Sequence, residues 1–194
     1  MKIYIHFRAF ILLFGLLSIV SCKTKSIVSE EDEQRNLAIL DSLKSVENYS
    51  IEIDVVYPFN TLATTQVVTD ALWNTGNNAN RIDVRADGNY IEIKNDSLKG
   101  YLPFFGEQRL NGGDIGGRNT AIQFDEALEN LDKSINQKKN NLELNFTARQ
   151  KDGDNDKYNI KIEIYPNQHV SVDISPVYRT FIKYEGHLAN NDLE

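Results

Sequence analysis

The stretch Leu142-Glu143-Leu144-Asn145-Phe146-Thr147-Ala148 decides the fold, because apolar residues hold every second position and polar residues fill the gaps. A period of two belongs to a β-strand with one face in a core and the other in water. The alternation returns downstream in Tyr158, Ile160, Ile162 and Ile164, and again in Val170, Val172 and Ile174. Upstream it runs through Tyr49, Ile51, Ile53, Val55 and Tyr57, and more briefly through Ile82 and Val84 and through Ile91 and Ile93. Turn-forming residues part these runs at Ala86-Asp87-Gly88-Asn89, at Asp152-Gly153-Asp154-Asn155-Asp156 and at Pro166-Asn167. Half-buried strands in succession, joined by short turns, make an antiparallel sheet. The expected class is therefore all-β, an up-and-down barrel or a strongly curved sheet. Ile122 to Phe124 is a weak strand signal, and Leu131 to Ile135 reads as strand or as helix, since Leu128, Leu131 and Ile135 also fit one helical face.

Ahead of the sheet the period changes. Leu37, Leu40, Leu43 and Val46 recur at near-helical spacing behind Glu31-Asp32-Glu33, which predicts one short amphipathic helix over about 31–46. Acids at its start suit the positive end of the helix dipole, and Ser29 or Ser45 can serve at its boundaries. Lys23 to Glu33 has few apolar residues and no period, as a flexible spacer would.

Cys22 is the only cysteine, and it follows an export signal. Lys2 and Arg8 give a positive start, Ala9 to Val20 is apolar apart from Gly15 and Ser18, and small Ser21 precedes the cysteine. The apolar stretch falls short of the roughly 20 residues of a bilayer span. The pattern predicts a bacterial lipoprotein, with residues 1–21 removed and lipid attached at the Cys22 thiol. That divides the chain into a signal peptide (1–21), a tether (22–33), one domain with its leading helix (34–190) and a short tail (191–194). The chain carries a net charge of −7, and losing Lys2 and Arg8 with no acid makes it −9. An acidic chain without a basic cluster is a poor partner for nucleic acid. A single cysteine excludes a disulfide framework, so the core must hold the fold. The expected partner is the membrane, through the lipid on Cys22. Lys23-Thr24-Lys25 after the cysteine, with acids only from Glu30, favours the outer membrane facing the periplasm.

The order of motifs resembles a known family. An alternating strand at Tyr49–Tyr57 is followed by Ser97-Leu98-Lys99-Gly100-Tyr101-Leu102-Pro103-Phe104-Phe105-Gly106, a glycine-rich loop at Gly112–Gly117, then Tyr165-Pro166-Asn167, Arg179 and Tyr184-Glu185-Gly186. This is similar to domain-of-unknown-function family 4251, small lipid-anchored or secreted proteins of Gram-negative bacteria. The resemblance covers roughly Leu40 to Leu188. It implies a small lipocalin-like β-barrel behind an N-terminal helix, and it implies no activity.

Catalytic and metal motifs do not assemble. His169, Ser171 and Asp173 have the residue types of a hydrolytic triad, yet at i, i+2 and i+4 of one strand they stand roughly 6.6 Å apart per pair. A base needs its partner at about 2.6–3.2 Å, so an exposed polar strand face is the better reading. Asp152, Asp154, Asp156 and Glu163 imitate a calcium loop, but Lys157 stands where the sharp turn needs glycine, which leaves an acidic hairpin tip. No zinc set exists around His169 and His187. The glycine-rich loop at 112–117 lacks the Gly-Lys-Ser/Thr ending of a phosphate cradle. No cofactor and no enzymatic activity are expected, although 28 acidic residues leave a converging carboxylate pair open.

The candidate contact residues are Tyr101, Phe104, Phe105 and Arg179. Pro103 breaks the strand and presents several aromatics at one kink, where they either plug the barrel end as core or admit a small apolar ligand. Arg179 either closes the barrel bottom as a paired charge or contacts an acidic ligand. Trp73, in an asparagine-rich loop, offers a ring to a sugar. The expected work is non-catalytic binding, of an apolar molecule inside the barrel or of another envelope component on its surface, with a filled, purely structural barrel as the alternative.

Overall fold

A computed structural model describes residues 29–59, 77–85, 87–107, 121–151 and 156–189. The chain divides into two compact units, Met1–Glu33 and Gln34–Glu194. Cys22, the export signal, Trp73, the glycine-rich loop at 112–117, Asp152, Asp154 and the tail lie outside the described residues.

The helix, α1 (Glu30–Ser45), starts where its cap dictates. Ser29 Oγ accepts from Asp32 N at 3.1 Å and donates to Asp32 Oδ2 at 2.8 Å, so one side chain satisfies an orphan amide of the first turn. Leu40 and Leu43 face the core, and the Tyr49 hydroxyl donates to Leu43 O at 2.8 Å near the last turn. Among the described residues, no helix is long and apolar enough to cross a membrane.

Ten antiparallel strands follow: β1 (Tyr49–Pro58), β2 (Ile82–Asp83), β3 (Tyr90–Lys94), β4 (Ser97–Pro103), β5 (Ala121–Ala127), β6 (Asp132–Asn136), β7 (Asn141–Arg149), β8 (Lys157–Ile164), β9 (His169–Pro176) and β10 (Ile182–Leu188). Their order is β5-β4-β3-β1-β10-β9-β8-β7-β6, with β2 beside β1. The sheet curls into a half-barrel whose two edges, β5 and β6, are consecutive in sequence. Close to one end the edge strand β5 is tied across to the residues after β7, where Lys151 N donates to Gln123 O at 2.7 Å. Of the stretch Leu131 to Ile135, all but Leu131 resolves as strand, because Ile135 pairs with Leu142 and adds an outer strand to β7. Ile122 to Phe124 is strand as well.

The even-numbered apolar residues of β7 through β10 point inward. Leu142, Leu144, Ile162, Ile164, Val170, Val172, Ile174 and Ile182 are all fully buried and join Leu40 of α1 in one cluster. One reading is corrected in β1. Alternation places Tyr57 inward, but the register slips between Ile53 and Val55. A bulge moves every later side chain to the other face, so Val56 and Pro58 turn in and Tyr57 turns out to donate to Glu185 Oε2 at 2.8 Å. The exposed-face reading of His169, Ser171 and Asp173 is corrected too. They do point outward, but Ser171 is buried between its cross-strand neighbours Glu163 and Glu185.

Candidate functional site

The loop end of the half-barrel gathers the family-like motifs. Tyr184, buried on β10, donates its hydroxyl to Pro103 O at 2.9 Å, at the end of β4. Gly106 lies against Thr180, since a Cβ there would fall 2.3 Å from Thr180 Oγ1 and 2.6 Å from the Phe104 ring. Glu107 N donates to Thr180 Oγ1 at 3.0 Å and Thr180 N donates to Glu107 O at 2.9 Å. The Tyr-Leu-Pro-Phe-Phe-Gly stretch and the closing Tyr-x-Gly are thus two sides of one contact.

Beneath that contact sits Arg179, 1 % exposed. Its Nε is 3.3 Å from Asp156 Oδ2, its Nη1 donates to Ala121 O at 3.3 Å, and its guanidinium lies 5.3 Å from the centre of the Phe104 ring. Asp156 Oδ1 in turn accepts from Val177 N and Tyr178 N, both at 3.0 Å. Gln150 joins the cluster: it accepts from the Tyr158 hydroxyl and from Gln123 N, and donates to Ala121 O. A buried charge needs an opposite charge beside it, and Asp156 supplies one to Arg179. Of the two readings of Arg179, the geometry matches the paired charge that closes the barrel end.

The four candidate residues therefore do not form one surface. Phe104 and Arg179 stack inside. Phe105 is 38 % exposed at the kink, and Tyr101, 43 % exposed, stands on the outer wall opposite Tyr90. The reason is that β4 runs through Pro103 rather than ending before it, so Tyr101 keeps its strand orientation. Missed by the sequence reading are Phe59, Val177 and Phe181, all exposed apolar residues at the same end. For Phe181 a signal existed: it has the opposite parity to inward Ile182 and Tyr184.

Among the described residues, two cavities that open to solvent bear on the site. The smaller, about 240 Å³, lies at the seam where Glu126 and Ala127 face Thr147, Ala148 and Arg149. The larger, about 530 Å³, lies on the outer face over β7, β8 and β9, lined by Asn145, Thr147, Asn159, Lys161, Asp173 and Ser175, with Asn130 and Phe181 among its further lining residues. Register explains the lining. Asn145, Lys161 and Asp173 stand side by side across three strands, as do Thr147, Asn159 and Ser175 one step along. Lys161 Nζ is held at 3.0 Å by both Glu143 and Glu163. Burial by itself would raise Glu163, but hydrogen bonds from Lys139 and Lys161 outweigh it and bring its carboxyl down to about 2. Asp173 goes the other way: burial raises it, and its Oδ1 is buried with no hydrogen-bond partner. Across the sheet, His187 Nδ1 lies 2.9 Å from Asp54 Oδ2 and its Nε2 3.6 Å from Glu52 Oε2. Among the described residues no group of three or more histidines, cysteines or acids is placed to hold a metal.

A helix-led antiparallel half-barrel with a buried arginine at one end defines the class of domain. Residues 31–188 match the family described as domain of unknown function DUF4251, and the chain belongs to that family. Neither the curated proteins nor the solved structures contain a match.

Proposed function

We propose that this chain is a non-catalytic binding protein of the cell envelope, tethered through lipid on Cys22, that engages another envelope component on the outside of a filled half-barrel. One observation carries this choice of surface over interior. The inward side chains form one buried cluster, while the cavity large enough for a ligand, about 530 Å³, is lined chiefly by outward residues of β7, β8 and β9. Small-ligand sites occupy roughly 300–1,000 Å³, and the seam cavity of about 240 Å³ falls below that range. The processing pattern at Ser21-Cys22 supports the tether. The Arg179–Asp156 pair is engaged in closing the barrel end, which supports a structural role for it.

The test is site-specific photo-crosslinking in cells, with a benzoylphenylalanine in place of Phe181 or of Tyr90. Position 181 is expected to give adducts of higher mass and position 90 none. Native mass spectrometry of the purified protein showing a retained lipophilic molecule, with no adduct at 181, would overturn the surface reading in favour of the interior.

A further inference from the structure

We infer that the groove over β7, β8 and β9 is a carbohydrate site, built for a neutral, hydroxyl-rich ligand of two or three linked hexose rings; this rests on the outer-face reading above. Four features of the groove carry it. Beside the apolar Phe146 and Ile160, its floor carries a grid of side-chain amides and hydroxyls, with Asn145, Thr147, Asn159 and Ser175 pointing outward from paired strands. Such groups both donate and accept, and an amide can bond two adjacent sugar hydroxyls at once.

The second feature is Asp173. Its Oδ1 is buried without a partner although Lys161 and Lys183 are its cross-strand neighbours. Lys161 is taken by Glu143 and Glu163 instead. Asp173 lines the groove as an acceptor-only carboxylate, to which a ligand hydroxyl can donate.

Third, Phe181 offers a ring at the end of the grid. It is 41 % exposed and lies one step beyond the last pair of the β9–β10 ladder, Ile182 with Ile174, which brings it opposite Ser175. A half-exposed ring beside polar groups matches a pyranose, whose C–H face is apolar and whose rim is not. The fourth feature is size. Three strand spacings from β6 to β9 make about 14 Å, the length of two or three hexose rings, and the groove holds about 530 Å³.

Other ligands fit worse. A peptide strand needs a free sheet edge, and β7, β8 and β9 are paired on both sides. An anionic ligand meets an unneutralised carboxylate and a lysine already engaged.

The experiment titrates the full-length chain in detergent with maltotriose, cellotriose and the trimer of N-acetylglucosamine, by calorimetry. Saturable binding of at least one is expected. Phe181→Ala and Asp173→Ala should each weaken it by about tenfold or more, while Tyr101→Ala, on the same face but off the groove, should leave it intact. The thermal midpoints of all three variants monitor folding. Binding that survives both groove substitutions overturns the site. No saturable binding of any sugar, with photo-adducts to a protein still forming at position 181, overturns the carbohydrate and leaves the outer-face reading standing. Neither sugar binding nor adducts overturns both.

Discussion

Arg179 and Asp156 meet inside the half-barrel, each 1 % exposed, with Nε and Oδ2 separated by 3.3 Å. Asp156 comes from just before β8 and Arg179 from the β9–β10 connection, and the β8–β9 pairing, which sets Tyr158 against Pro176, brings them together. Removing one buried partner leaves the other charge uncompensated, at a cost of about 3–5 kcal/mol. Asp156→Ala is the harsher change, because it also strips the acceptor from Val177 N and Tyr178 N. Arg179→Met keeps volume and leaves Asp156 its two backbone donors, so it should cost less. Urea unfolding of the two variants is the check; equal midpoints, or an unchanged Asp156→Ala, would remove the pair from the framework.

Glu163 and Asp173 sit on neighbouring strands and carry stability in opposite senses. Glu163 is lowered from 4.5 to about 2, so its contribution is present above about pH 4.5 and fades as pH falls through about 2, amounting to at most about 3 kcal/mol. Asp173 is raised, first by burial. Ionising it therefore works against the fold, and stability is lost as pH rises through its folded value. Glu163→Gln should lower the melting temperature at pH 7 and Asp173→Asn should raise it, with both differences shrinking in acid. Melting curves from pH 3 to pH 7 decide the matter, and shifts of the same sign would contradict the assignment.

Gly186 marks the closest approach in the sheet. A Cβ there would stand 1.9 Å from Glu52 O, in the backbone of β1 next to its bulge. Backbone cannot rotate away as a long side chain can, so Gly186→Ala must part β1 from β10, at a cost of roughly 3 kcal/mol. Tyr184→Phe, two residues earlier, leaves Pro103 O without its hydroxyl partner and should cost about 1–3 kcal/mol. Calorimetric melting of each variant tests the size and the order.

Period-two patterning placed β1, β3, β7, β8 and β9, because a half-buried strand must alternate or expose its core face, but it signalled β5 and β6 only weakly and was not read over β4 or β10. It failed where the backbone departs from ideal pairing. The slip between Ile53 and Val55 turned Tyr57 outward, and no residue in that stretch announces it. Parity does not report how crowded an outward residue is, and Ser171, flanked in the register by Glu163 and Glu185, is buried on the outer face. Asp156 was legible only as part of an acidic turn, since its partner Arg179 lies beyond the next strand and only the β8–β9 register sets the two side by side. Asp173 and Phe181 had to wait for register: cross-strand rows, not local motifs, bring them to one groove.

On the proposed tether, lipid attachment would depend on a single atom, the Cys22 sulfur, whose nucleophilic form would accept the acyl-bearing group. One acyl chain holds a protein on a bilayer only marginally, and two or more hold it stably, so a fully lipidated chain should pellet with membranes and resist salt washing. Cys22→Ser keeps the size of the side chain and removes the thiol. It should release the protein to the soluble fraction while its melting temperature stays that of the wild-type chain, because the core cluster begins at Leu40. Metabolic labelling with an alkynyl fatty acid gives a direct readout: label on the wild type and none on Cys22→Ser is expected. Label or membrane residence that survives the substitution would place the anchor elsewhere in the chain.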